Sequence, residues 1–183
     1  FIEKEGIQRA CFYHLVYAGR GSDIRKDDLS HEESRRALDI ILERTMDFHK
    51  RGLKKDILTV DNHVDGPYLY MKLKEIDPKR AEEIYKLMAW NGGGACSSGV
   101  GIGNIDFFGN VHADQFWQDY TFGNVRKRPF SEIWMDTSDA LMKGLKNRLP
   151  LLKGRCANCQ WIKVCGGSFR VRAMRVYNDP WMQ

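Results

Sequence analysis

The sequence predicts an α/β chain in two parts: a parallel strand–helix region over residues 1–90 and a small α+β, cysteine-bearing region over residues 91–183. Three observations carry this reading. Apolar β-branched or aromatic segments alternate with helix-periodic ones up to residue 90. From Asn91 the texture turns glycine-rich, as NGGGACSSGVGIGNID. Near the end, Cys156, Cys159 and Cys165 stand in a C-x2-C-x5-C array followed at once by Gly166 and Gly167.

Taken in order, Cys11 to Ala18 (CFYHLVYA) reads as a buried strand that Gly19-Arg20-Gly21 turns. Cys11 within it reads as a small hydrophobe. Ser30 with Glu33 makes a capping box for a helix with Leu38, Ile41, Thr45 and Phe48 on one face and Gly52 as its stop. Ile57 to Val60 is a second short buried strand, running into the polar turn Asp61 to Gly66. Asp77 caps a further helix with Pro78 in its first turn and Ala81, Ile84, Tyr85 and Met88 inward. Beyond the boundary near residue 91, GNIDFFGNVHADQFW reads as a hairpin turning at Phe108-Gly109-Asn110. Pro129 and Ser131 open a short helix holding Ile133 and Trp134. Ser138 to Asn147 forms another, and Gly167 to Arg175 a last one.

Composition is that of a soluble globular protein, with no apolar run near the length of a membrane span. The opening shows no export signal, and the five cysteines are an odd number. A reduced, cytoplasmic setting follows, with metal chemistry favoured over disulfides. The chain begins at Phe1 and stops inside YNDPWMQ, which reads as a fragment of something longer. A formal charge of +5 favours an anionic partner. Arg126-Lys127-Arg128 reads as a solvated surface, whereas Arg170, Arg172 and Arg175, just past the cysteines, are candidates for holding an anion.

In parallel α/β folds, polar residues at the carboxyl ends of strands line the active site. That marks His14, Arg20, Asp61 and His63 as candidate binding residues, against the alternative that they only cap loops. For the cysteines, structural zinc would need four ligands and usually a second knuckle. One knuckle is present, and the nearest histidine, His112, lies far back in the predicted hairpin. Thiolates in one tight loop suit the corners of an iron–sulfur cluster better, with Cys96 as the available fourth ligand.

The segment CANCQWIKVCGG resembles the SPASM/twitch module appended to radical S-adenosylmethionine enzymes, and Cys96-Ser-Ser-Gly, IDFFGNVHADQFW and GNVRKRPFSEIW resemble its first half. Together with YHLVYAGRG, LTVDNHVDG and KGRCANCQWIKVCGGSFRVRA, nearly the whole chain is similar to the radical enzymes of haem d1 synthesis and of the siroheme-dependent haem pathway. The resemblance implies the C-terminal part of a partial (β/α) radical barrel up to about residue 90, then a SPASM/twitch iron–sulfur module. It implies an auxiliary 4Fe–4S cluster on Cys156, Cys159 and Cys165, with a fourth ligand from Cys96 or a cysteine beyond Gln183.

S-adenosylmethionine and a second 4Fe–4S cluster would belong to the full-length enzyme. The N-terminal C-x3-C-x2-C loop that binds that cluster in the family has no counterpart here, so the chain alone is expected to be inactive. Asp114 and Phe169 stand where two-cluster members carry cysteines, which implies one auxiliary cluster. The implied substrate is an iron tetrapyrrole of the didecarboxysiroheme kind, its carboxylates on Arg20, Arg170 and Arg172, with a ferredoxin or flavodoxin as electron donor and neither nucleic acid nor membrane as partner. The alternatives are a peptide-modifying SPASM enzyme and a zinc-bearing interaction module.

Overall fold

The computed structural model describes residues 1–90 and 97–183. The glycine-rich stretch 91–96 lies outside the described residues, and with it the predicted domain boundary and Cys96. Strand β1 (Arg9–Tyr13) pairs in parallel with β2 (Asp56–Val60), from Arg9 against Asp56 to Tyr13 against Val60. Helix α1 (His31–Lys50) makes the crossover. Its start follows the predicted capping box: Glu33 N–H donates to Ser30 Oγ at 3.2 Å, and Ser30 N–H to the Glu33 carboxylate at 2.9 Å. The strand–helix–strand rhythm is therefore that of a parallel α/β unit.

Burial departs from expectation. The strand predicted through Ala18 ends at Tyr13, and Cys11, Phe12 and Tyr13 are exposed, as is Leu58 in β2. Sequence pattern specifies an extended segment, but burial needs a covering layer. Among the described residues these side chains have none, so Cys11 is an exposed thiol and not a core hydrophobe.

Helix α2 (Asp65–Ile76) was not legible as a helix, because Asp61 to Gly66 reads as a turn. Pro67 falls in the first turn, where its missing N–H costs no helical bond. Gly66 permits the close approach of the neighbouring helix, since a Cβ there would stand 2.5 Å from Met88 Sδ. That neighbour is α3 (Pro78–Trp90), capped as predicted by Asp77, whose side chain accepts from Arg80 N–H at 3.0 Å. Tyr70, Leu73 and Ala81 form the core of the pair.

The second region opens on a three-stranded antiparallel sheet, β3 (Asn104–Ile105), β4 (Asn110–His112) and β5 (Gly123–Asn124). The predicted hairpin turn is present, with Gly109 at φ 90° and the Asp106 carboxylate accepting from Phe108 and Asn110 N–H. Helices α4 (Phe130–Met135) and α5 (Ala140–Lys146) follow, then α6 (Ile162–Cys165) and α7 (Arg170–Tyr177). The main core packs Ala113, Trp117, Leu145 and Val171 with Val16 from the first region. Trp161, in the cysteine loop, inserts edge-on against Tyr70 at 5.4 Å, and α6 packs on α2 and α3. The cysteine loop is thus seated on the first region. No helix among the described residues is long and apolar enough to cross a membrane.

Candidate metal and substrate site

The cysteine loop is built from consecutive tight turns. Cys159 N–H donates to the Cys156 carbonyl at 3.2 Å, Ile162 N–H to the Cys159 carbonyl at 3.1 Å, and Cys165 N–H to the Trp161 carbonyl at 2.8 Å. All three thiols are free, Cys156 and Cys159 half-buried and Cys165 buried at the end of α6. Gly166, Gly167 and Ser168 then run left-handed, at φ 59°, 82° and 57°. Two glycines make this run inexpensive, and it turns the N–H groups of Gly167 and Ser168 toward the Cys165 sulfur.

Burial pushes the Cys165 thiol up, and these N–H groups oppose the shift. Burial also pushes Cys156 up, against the pull of Arg170. Among the described residues no three His, Cys, Asp or Glu side chains gather closely enough to hold a single metal ion. His112, the alternative nitrogen ligand, is buried in β4 with Nδ1 2.7 Å from the Tyr120 carbonyl.

Beside the loop, at the carboxyl end of β2, lies a cavity of about 260 Å³. Asp61 and His63 line it from the first region, and Ser98, Asp114 and Phe169 from the second. Asp61 is held at φ 69°, a conformation that a non-glycine residue adopts only under local constraint. Burial pushes its carboxyl up, Arg172 and His14 pull it down, and Asp114 adds to the rise. Asp114 is 2% exposed. It accepts from the Ser98 hydroxyl and from Phe116 N–H, and burial pushes it up too.

His63 leans on the Phe169 ring, centroids 5.2 Å apart, and its backbone N–H donates to Ser168 Oγ at 3.4 Å. Its Nδ1 is buried and makes no hydrogen bond among the described residues. Burial lowers its pKa, Arg148 lowers it further, and Asp65 opposes both, so the imidazole is neutral at pH 7. His14 sits one step behind, its Nε2 2.8 Å from Asp65 Oδ2.

The residues marked from sequence therefore separate into groups. Asp61 and His63 line the cavity, with His14 tied to Asp65 beside them. Arg172 pairs with Asp28 at 3.4 Å and lies over the Tyr17 ring at 5.0 Å. Arg170 is 1% exposed and donates to the Ser168, Pro180 and Met182 carbonyls, which makes it a strut under the cysteine loop. Arg20 is exposed on the turn Gly19–Ser22. Sequence reasoning missed Ser98 and the buried Arg148, whose Nη2 donates to the Ser98 carbonyl at 3.1 Å. Asp114 and Phe169, marked from sequence only as departures from a cysteine pattern, both line the cavity.

Two known proteins resemble the chain over nearly all of its length. An Fe-coproporphyrin III synthase of Methanosarcina barkeri is 60% identical over 98% of the chain, and a pre-heme d1 synthase of Dinoroseobacter shibae is 39% identical over 99%. The chain spans 45% of each of these curated relatives. No family profile matches it, and no solved structure matches significantly. Both relatives are named as synthases. Over its own length the chain is therefore related in sequence to synthases of haem and haem d1 formation, the group its motifs resemble.

Proposed function

We propose that the chain is the C-terminal part of a radical S-adenosylmethionine enzyme that alters carboxylate side chains of a siroheme-derived iron tetrapyrrole, and that Cys156, Cys159 and Cys165 hold its auxiliary 4Fe–4S cluster. One observation carries the reading: the thiol loop and the strand-end cavity are built together. Ser168 and Phe169, three and four residues past Cys165, hold the backbone and ring of His63 at the cavity wall.

The donor set supports a cluster over a single zinc ion. Three thiolates in one short loop, with a single knuckle and no nearby histidine in sequence, suit the corners of a cluster better than a structural zinc ion. A fourth ligand would come from Cys96 or from a cysteine beyond Gln183. When bound, the cluster would supply or accept one electron. The Gly167 and Ser168 N–H groups would stabilise thiolate charge at Cys165, and buried Arg170 would do so at Cys156.

In the cavity, the Asp61 carboxyl, its pKa pushed up by burial, would face the substrate as a hydrogen-bonding group. The neutral His63 ring would present its unpartnered Nδ1. Arg172, oriented by Tyr17 and Asp28, would balance charge beside Asp61. S-adenosylmethionine, its own 4Fe–4S cluster and a ferredoxin or flavodoxin donor would complete the full-length enzyme, in the cytoplasm.

Anaerobic incubation of the full-length protein with S-adenosylmethionine, a reductant and didecarboxysiroheme tests this. The expected product has lost side-chain mass by mass spectrometry, and Cys159→Ala abolishes it. An unmodified macrocycle under wild-type conditions that still cleave S-adenosylmethionine would overturn the tetrapyrrole reading.

A further inference from the structure

The strand-end cavity is too small for a whole macrocycle. At about 260 Å³ it falls below the span of roughly 300–1,000 Å³ in which ligand pockets usually lie. A second cavity of about 570 Å³ lies next to it and shares Gln115 as a wall. Its other lining includes Ala18, Gly19, Phe116, Asp119 and Arg175.

Arg175 lines it, and Arg25 and Arg172 connect to that wall through the Arg175 carbonyl and the Tyr17 ring. Arg25 and Arg172 both lie over the Tyr17 ring, at 5.3 and 5.0 Å, and Arg25 Nη1 donates to the Arg175 carbonyl at 3.4 Å. The carboxylates in contact with them are fewer. Asp28 pairs with Arg172 while accepting from the Tyr17 hydroxyl at 2.6 Å, and Asp119 pairs with one end of Arg175 at 2.6 Å. Arg25 makes no ion pair among the described residues, and Arg175 Nε is buried there without a partner. Arg175 therefore keeps a guanidinium nitrogen without a partner at the wall of the second cavity. Guanidinium groups of this kind match the planar geometry of a carboxylate.

We propose that Arg175, supported by Arg25, is the specificity-determining hook for a peripheral carboxylate of the macrocycle, held in the second cavity while another edge of the ring enters the first. This rests on the tetrapyrrole reading above. It replaces the exposed Arg20 and the strut Arg170 as the principal carboxylate partners. The same chemistry could serve the amino-acid carboxylate of S-adenosylmethionine, and the reach between two adjoining cavities favours the larger ligand.

The test is an absorbance titration of the full-length protein with Fe-coproporphyrin III and with its methyl ester, alongside a titration with S-adenosylmethionine. Arg175→Gln is expected to weaken binding of the free acid about tenfold and to leave the ester unchanged. Arg175→Lys should recover part of the loss. Arg25→Gln, at an exposed position where folding is not at stake, should weaken the acid by a smaller factor. Equal weakening of acid and ester, no change in either, or a loss confined to S-adenosylmethionine would each overturn the assignment. Wild-type protein that binds neither porphyrin would overturn the tetrapyrrole reading itself, which separates the two failures.

Discussion

The two regions meet at one site but are held together differently. In residues 1–90 the two-stranded sheet leaves Phe12 41%, Leu58 44% and Tyr13 69% exposed, and most of its buried apolar side chains keep 7–8% of their surface. In residues 97–183, Val111, Ala113, Met142 and Val171 have no exposed surface, and Leu145 and Ile133 have 1%. The cysteine region owns a closed core and lends it to its neighbour through Val16. The first region contributes strand-end residues, Asp61 and His63, whose placement depends on contacts from the second. Contacts from the cysteine region therefore hold His63, which stands at the strand-end cavity of the sheet.

That contrast can be broken by matched truncations. Leu145→Ala, deep in the shared core, should cost about 2–5 kcal/mol in urea unfolding, while Leu58→Ala on the open sheet should stay within about 0.5 kcal/mol. Similar costs at the two positions would mean that the sheet is covered after all.

A smaller effect sharpens the comparison at the junction. His14→Ala strands the buried Asp65 carboxylate, whose other oxygen, Oδ1, already lacks a hydrogen bond among the described residues. A loss of about 1–3 kcal/mol is expected, with partial recovery in His14→Gln. An unaltered unfolding midpoint in His14→Ala would show that the pair does not tie the end of β1 to α2.

The smallest effect is a titration. The hydrogen bond to Asp139, aided by burial and by the Asp139 charge, pushes the Tyr120 phenol up to about 12. Because the folded value is raised, this contribution to stability is fully present below the ordinary tyrosine value near 10. It is lost as pH rises through about 12. Phenolate absorbance should show late-titrating tyrosines, Tyr17 raised by burial and Tyr120 among them, of which Tyr120→Phe removes one and Asp139→Asn shifts that one down. A late-titrating amplitude undiminished in Tyr120→Phe would refute the assignment.

Much of this was legible in the sequence where the cause is local. The Ser30–Glu33 box, the Asp77 cap, the Gly109 turn and the three-cysteine spacing each depend on neighbours within a few residues. What escaped depends on distant partners. Arg148 reaches back fifty positions to the Ser98 carbonyl, and nothing in its own segment marks it as buried. The exposure of Cys11, Phe12 and Tyr13 was hidden for the same reason, since an apolar alternation cannot say whether a layer lies above it. The candidate site was half visible: strand-end position marked Asp61 and His63, which line the cavity, but Arg25 and Arg172 come together only through Tyr17.

The proposed iron–sulfur cluster on the cysteine loop of the closed region can be tested on the chain itself. The most direct test is anaerobic reconstitution of the chain with iron and sulfide, followed by metal and sulfide analysis and EPR of the reduced protein. The account predicts about four irons and four sulfides per chain and a cluster signal that disappears in Cys165→Ala. About one zinc with no sulfide would contradict it and return the loop to a structural zinc site.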